Sequence, residues 1–254
     1  MGNLKLRLAN KELTIGTWLT IAHQAVVEIL GSAGFEWITI DMEHSAIDYG
    51  DVLNLVGHIQ GNGMEALVRV SKNEEVVIKK VMDAGADGVI VPMIKNKEDA
   101  EQAVSFVKYP PVGKRGVGLN RAQKWGTGFN EYKDWTKKVA VVIAQIEHIE
   151  AVNNLEDIIN TPGIDGVIVG PYDLSASMGY PGEYDRDDVK AALERVVEVT
   201  KKSNKSLGFH VIESRYAFLK ERISQGYTFL AFSLDFFFLG DRAREEMKKL
   251  KEDL

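Results

Sequence analysis

The chain has no cysteine, 6 prolines in 254 residues and no excess of basic charge, with 31 Lys and Arg against 37 Asp and Glu and a formal net charge of −6. Each shortage closes a class of answer. Without cysteine there are no disulfides, no thiolate metal sites and no thiol nucleophile. An acidic balance lacks the dominant Lys/Arg face that displaces counterions from a phosphate backbone, so nucleic acid is not an expected partner. Met1 to Asn10 carries charges but no apolar core followed by a small-residue cleavage site. No run approaches the ~20 apolar residues needed to span a bilayer. The chain reads as soluble, untargeted and cytoplasmic.

What is present is a hydrophobic content of 45%, enough to bury one sizeable core, and the whole span 1–254 is expected to form a single domain. Short runs rich in Val, Ile and aromatics alternate with stretches of helical period, the pattern of βα units around a parallel sheet. Eight strands are expected: Leu13 to Trp18, Glu36 to Ile40, Glu65 to Val70, Gly88 to Val91, Val139 to Ile146, Gly166 to Val169, Ser206 to Val211 and Thr228 to Phe232. Helical patterns between them include Asp51 to Ile59, Glu74 to Met82, Lys97 to Val107, Ala151 to Ile159, Asp187 to Lys202 and Ser214 to Ser224. The fold class is therefore α/β, a (β/α)8 TIM barrel.

A weak repeat agrees. Gly34, Gly85, Gly163 and Gly226 each stand at a helix end just before strands two, four, six and eight, where glycine supplies the left-handed cap that turns the chain into the next strand. Any αβ loop favours such residues, so the repeat alone decides nothing. One connection, Tyr109 to Lys138, is too long for a simple loop, and its Arg115, Arg121, Trp125 and Trp135 argue for order. It is expected to form a flap beside the barrel mouth. The tail from Asp235 carries Phe236, Phe237 and Phe238, which are read as packing within the chain or against another subunit.

Chemistry in such a barrel sits at the carboxyl ends of the strands. Strand two ends in Asp41-Met42-Glu43-His44, strand three holds Arg69, strand five ends in Gln145-Ile146-Glu147-His148, and strand six runs into Gly170-Pro171-Tyr172-Asp173-Leu174-Ser175. Glu147 and Asp173 are two carboxylates on neighbouring strand ends, suited to a divalent cation with positions left for substrate. A surface carboxylate and a helix cap are their plain alternatives. Arg69 could hold a developing oxyanion, or serve as a buried ion pair. His44 is the candidate general base, since histidine is the side chain that titrates near neutrality and Asp41 stands three residues away to orient it. A hydrogen-bonded turn histidine is the alternative. His23 and His58 fall in helical stretches, His148 follows the metal candidate, and His210 closes strand seven without a nameable partner. The lysines do not suggest a Schiff-base enzyme, which needs a lysine desolvated inside the barrel; Lys72, just beyond strand three, is the only near candidate. Gly116 and Gly118 lie in the long loop and make no dinucleotide fingerprint.

Taken in order, Gly16-Thr17-Trp18-Leu19, Ile40-Asp41-Met42-Glu43-His44, Val68-Arg69-Val70, Asp83 to Pro92, Arg115-Gly116-Val117-Gly118, Gln145-Ile146-Glu147 and Gly170 to Ser175 resemble the metal-dependent pyruvate aldolases of the HpcH/HpaI family. The likeness runs from about Leu13 to the last strand. It implies a phosphoenolpyruvate/pyruvate-type barrel cleaving 4-hydroxy-2-oxo acids, sugar-derived or dicarboxylic, to pyruvate and an aldehyde with a divalent metal, Mg2+ or Mn2+, with Co2+ a further candidate. It also implies Glu147 and Asp173 as metal ligands and Arg69 at the enolate oxygen. His44, oriented by Asp41, would work with a water on the 4-hydroxyl. Gln145, Gly170, Tyr172 and Asp173 join Arg69 around the substrate, whose carboxylate meets backbone N–H groups at Tyr172 and Asp173. A C-terminal helix exchanged between subunits of a trimer or hexamer is implied as well. Two positions depart from the family pattern: Tyr172 replaces a small residue or Asn, and His210 replaces an apolar one. Rival readings are an acyl-CoA ester lyase of the same superfamily, kept open by Lys114, Arg115 and Lys124, and a barrel that only binds a small acid.

Overall fold

The computed structural model describes residues 4–254. Eight parallel strands close into a barrel in chain order: β1 (Thr14–Leu19), β2 (Trp37–Asp41), β3 (Glu65–Arg69), β4 (Gly88–Val91), β5 (Val141–Ile146), β6 (Gly166–Val169), β7 (Ser206–Val211) and β8 (Phe229–Leu234). Around them run α1 (Leu4–Ala9), α2 (Gln24–Ser32), α3 (Tyr49–Gly61), α4 (Glu75–Ala84), α5 (Lys97–Val107), α6 (Phe129–Lys138), α7 (Ile149–Asn153), α8 (Leu155–Asn160), α9 (Pro171–Ser177), α10 (Asp187–Lys202), α11 (Tyr216–Ser224) and α12 (Asp235–Asp253). Each expected strand is present to within two residues. The expected helix over Ala151 to Ile159 is broken in two at Asn154. Among the described residues no helix is long and apolar enough to cross a membrane.

The strands read as nearly unbroken apolar runs because both faces are covered. Their period of two still sorts the residues: Ile38 and Ile40 of β2 join the core between barrel and helices, whereas Trp37 joins Trp18, Leu67, Ile90, Ile143, Ile168 and Phe229 inside the barrel. Leu4 and Leu8 of α1 belong to that inner cluster, so the short helix plugs the end where the strands begin. Alternate strands build the interior layers. The last inward positions of β1, β3, β5 and β7 are Trp18, Arg69, Gln145 and His210, and the inside of the barrel thus changes from apolar to polar just below its mouth.

Gly34, Gly85, Gly163 and Gly226 all have φ between 91° and 103°, the left-handed conformation read from the repeat. They end the descending helices and aim the chain into the even strands.

The long connection is ordered but stands at the opposite end from the one expected. It follows a descending helix, α5, and precedes an ascending strand, β5, so both its ends lie where strands start. A 3-10 segment (Arg121–Gly126) and α6 form within it. It is fastened to the foot of α4: Arg115 pairs with Asp83 at 2.5 Å, Gln123 donates to Asp83 at 2.9 Å, Tyr132 OH donates to Met82 O at 2.8 Å and Arg121 donates to Ala84 O. Of the basic residues that kept the CoA reading open, Arg115 is fully buried against Asp83 and Lys124 pairs with Glu131 on the surface, while Lys114 is exposed.

The Arg115 guanidinium also lies against the rings of Tyr109 and Tyr132, and removing it strands the largely buried Asp83 carboxylate. Arg115→Ala should cost about 3–5 kcal/mol in urea unfolding, and an unchanged midpoint would mean that the connection is held by other contacts.

Candidate active site

Arg69 ends β3 directly in register with Asp41 at the end of β2. Its Nε and Nη2 donate to the two oxygens of Asp41 at 2.9 and 2.6 Å, and its Nη1 lies 3.3 Å from Oε2 of Glu43. The guanidinium stacks over Trp18, 4.3 Å from the ring centre. Burial pushes the Asp41 carboxyl up, but the Arg69 bonds outweigh it and hold the group below the usual carboxylate range. Two of the five guanidinium N–H groups go to Asp41 and one faces Glu43, so two remain for a ligand.

Asp41 does not orient the His44 ring as expected. Its Oδ1 accepts the backbone N–H groups of Glu43 and His44 at 3.0 and 3.2 Å, fixing the turn after β2 while the same carboxylate grips Arg69. The carboxylate that faces the His44 ring is Glu43, at 3.9 Å from Nε2. The ring is 64% exposed, open to whatever enters the mouth.

Glu147 lies just past β5 and is buried. Its Oε1 accepts the Met93 N–H at 2.7 Å, and its Oε2 takes the Gln145 amide. Burial raises its carboxyl above the ordinary range, the two hydrogen bonds oppose that, and the charge of Asp173 adds to it. Asp173 sits exposed in the first turn of α9, which opens with Pro171. The first helical bond there is Leu174 N to Gly170 O at 3.0 Å, so the N–H groups of Tyr172 and Asp173 precede the hydrogen-bond ladder.

Glu43 was not singled out from the sequence, where it reads as one more acid in a turn. In the structure its carboxyl is pushed up to about 7, first by burial and then by Glu147, Asp41 and Asp173, with Arg69 opposing. Four acids and one guanidinium thus crowd one end of the barrel.

Whether a divalent cation suits this place can be judged from the donors. Glu147 and Asp173 repel each other across a partly desolvated gap, and Oε1 of Gln145 beside them is buried without a partner. A Cβ on Gly170 would lie 3.1 Å from Oε2 of Glu147 and 3.4 Å from Nε2 of Gln145, so glycine keeps that flank open. Among the described residues no three His, Asp or Glu side chains gather to enclose a metal on their own. The donor set fits a hard cation held by two carboxylates, with its other positions left to water and substrate.

The remaining candidates separate. Tyr172 is exposed and leans toward Gly182, where a Cβ would lie 3.4 Å from its ring. His23 and His148 cap α2 and α7 by accepting the N–H groups of Ala25 and Glu150, and His58 lies in α3. Lys72 is exposed beside Glu74, not desolvated inside the barrel. His210 ends the inward row of β7 against Trp18.

A family model described as HpcH/HpaI aldolase/citrate lyase matches residues 14–239. The chain is 35% identical to a 2-dehydro-3,6-dideoxy-6-sulfogluconate aldolase of Pseudomonas putida, covering 96% of this chain and 95% of that protein. It is 37% identical to a 4-hydroxy-2-oxo-heptane-1,7-dioate aldolase of Salmonella typhimurium, covering 87% and 84%. Among solved structures, an HpcH/HpaI aldolase/citrate lyase family protein from Burkholderia cenocepacia superposes with a TM-score of 0.91 at 32% identity, over 98% of this chain and 100% of that one.

The raised Glu43 carboxyl carries a sign for stability. Between about pH 4.5 and about 7 the folded protein keeps a proton that the unfolded chain has lost, so stability falls as pH rises through that window. Glu65, also raised to about 7, acts in the same direction, and comparison with a variant isolates Glu43. In EDTA, the thermal midpoint of Glu43→Gln relative to the parent protein should climb from about pH 5 to about pH 7. A difference independent of pH would mean that Glu43 ionises normally in the folded state.

Proposed function

The chain belongs to the HpcH/HpaI aldolase/citrate lyase family, and from that premise we propose that its barrel mouth cleaves 4-hydroxy-2-oxo acids to pyruvate and an aldehyde, and joins them in reverse. It is a carbon–carbon lyase. The observation that carries the reading is the gathering of Arg69, Glu147 and Asp173 at one end of the barrel, where a guanidinium with unspent N–H groups stands among desolvated carboxylates.

Glu147 and Asp173 would hold a divalent metal ion, Mg2+ or Mn2+, which when bound supplies Lewis-acid stabilisation of the charge left on the ketone oxygen. The chain's own residues supply the rest. The free N–H groups of Arg69 meet the same developing oxyanion, and because Asp41 and Trp18 already fix the guanidinium, little reorganisation is needed as charge builds. The backbone N–H groups of Tyr172 and Asp173 take the substrate carboxylate. His44, exposed at the rim and backed by Glu43, receives through a water the proton of the 4-hydroxyl as the carbon–carbon bond breaks and its electrons pass to the enolate. Gln145 braces Glu147, and Gly170 keeps its flank open. The exposed Phe236, Leu239, Met247 and Leu250 of α12 suit the subunit contact that the family resemblance implies.

Enolate formation can be tested without knowing the aldehyde. In D2O the methyl protons of pyruvate should exchange in the presence of Mg2+ or Mn2+ and stop exchanging with EDTA. Glu147→Gln should lose metal binding and exchange together. His44→Ala should keep metal binding and lower aldol turnover by about 10²–10⁴. Absence of exchange under either metal would remove the enolate mechanism, and an undiminished rate in His44→Ala would remove the base assignment.

A further inference from the structure

The foot of the barrel holds a cavity that the reaction at the mouth does not use. Its volume is about 500 Å³, within the roughly 300–1,000 Å³ of pockets that take small molecules. Lys5 of α1, Lys108 just after α5, Lys133 and Lys137 of α6 and Lys205 just before β7 line it, against two acids, Asp134 and Asp165. Three positive charges are therefore in excess here, in a chain whose formal net charge is −6. These segments gather where the strands start, at the far end from the mouth.

One carboxylate cannot answer the lysines grouped around it. Asp165 holds Lys5 Nζ at 2.6 and 2.7 Å and accepts the Val142 N–H at 2.9 Å. Lys108 and Lys205 meet carbonyls instead: Lys108 Nζ donates to Thr136 O at 2.5 Å and to Ala140 O at 3.0 Å, and Lys205 Nζ donates to Ile164 O at 2.5 Å. Ala140 O also takes Lys5 Nζ at 3.1 Å, so two ammonium groups stand on one carbonyl. Lys133 and Lys137, one turn apart and exposed on α6, form no ion pair among the described residues.

Lys108 is the informative member. It is only 4% exposed, and burial followed by the charge of Lys5 lowers its ammonium to about 8, with Asp165 opposing. A neutral amide could donate to the same two carbonyls, so fastening the loop does not require a charge. An ammonium has three N–H groups, and the chain takes two of them. One N–H and an uncompensated charge are left at the cavity wall. Burial lowers Lys205 in the same direction, with Lys5 adding to it and Asp165 opposing. Desolvated charge of one sign is destabilising unless an opposite charge offsets it.

The wall also says what kind of anion fits. Lysine without arginine supplies compact point charges rather than the flat fork that grips a single carboxylate. One phosphate ester carries about −1.5 to −2, less than the excess, whereas a diphosphate matches it. Val104, Pro110, Val112 and Pro162 make an apolar side to the same cavity, a seat for an organic body attached to the anion.

We infer that this cavity is a binding site for a diphosphate group, free or carried by a nucleotide, and that Lys108, Lys133, Lys137 and Lys205 hold it. The site is separate from the aldol chemistry and stands whether or not that reading holds.

The test is calorimetric titration of the full chain in EDTA with pyrophosphate and with ADP, so that no metal at the mouth can bridge the anion. Saturable binding of one anion per chain is expected, with a thermal midpoint that climbs with ligand concentration. Tighter binding of ADP would identify a nucleotide site, and equal or weaker binding a site for the free diphosphate. Lys108→Met and Lys205→Met should each weaken binding by roughly tenfold or more. Lys133→Ala/Lys137→Ala should weaken it roughly three- to tenfold and leave metal-dependent pyruvate exchange unchanged; it alters exposed positions alone, and decides the matter should Lys108→Met fold poorly. Absence of saturable binding overturns the inference, as does full-strength binding in the lysine variants, which would place the anion elsewhere. An equal rise in midpoint with sodium chloride at matched ionic strength would reduce the effect to screening of like charge and overturn it too.

Discussion

A guanidinium cannot be placed at the end of a buried strand without an answering carboxylate, and the pairing of Arg69 with Asp41 is the constraint around which this mouth is arranged. Neighbouring parallel strands put the two in register, and the bidentate fork leaves the arginine one orientation. That orientation lays it on Trp18 and brings its Nη1 to 3.3 Å from Glu43. The same Asp41 Oδ1 accepts two backbone N–H groups of the following turn, so the placement of Glu43 and His44 depends on the carboxylate that holds Arg69. Loss of Asp41 would therefore free a guanidinium and a turn together, and the two effects would not add as independent ones.

Such a pair is an uncertain source of stability. Desolvating both ions costs several kcal/mol, which close contact repays only in part. The barrel places the expense where an oxyanion has to be met by a donor that does not need to reorganise. Stability is secured at the other end. There Leu4 and Leu8 plug the interior, Arg115 is clamped between Asp83 and two tyrosine rings, and the long connection is tied to the foot of α4. One end of the strands is apolar and closed, and the other is polar and crowded with like charge.

How legible this was in the sequence follows from the range of the forces involved. The strands could be read because burial on both faces writes short apolar runs between helical periods, and the even-strand glycines because a left-handed cap has a local signature. Glu147, Asp173 and Arg69 could be placed at the mouth because strand ends are local too. The long connection was assigned to the wrong end although the topology already forbade it, since a segment leaving a descending helix for an ascending strand starts and finishes at the bottom. Glu43 was overlooked because its distinction is collective. A single acid after a strand becomes unusual only when Arg69, Glu147, Asp41 and Asp173, brought together from four strands and their loops, surround it. The orientation of His44 failed for a related reason: a spacing of three residues puts Asp41 near the turn but cannot reveal that its oxygens are already committed to Arg69 and the backbone.

The same reasoning gives weight to His210. Residues that violate the local pattern without a local compensation mark places where the structure is completed by something outside itself. Arg69 breaks an apolar strand and is answered inside the chain by Asp41. Lys108 is a buried ammonium, and the carbonyls of Thr136 and Ala140 meet two of its N–H groups but not its charge. His210 breaks an apolar strand in the same way, packs against the Trp18 ring, and has a buried Nε2 that no described residue meets. Gln145 Oε1 and Glu43 Oε2 are likewise buried without a hydrogen-bond partner at the same end of the barrel, so buried polar groups at the mouth are left for something other than the chain to meet.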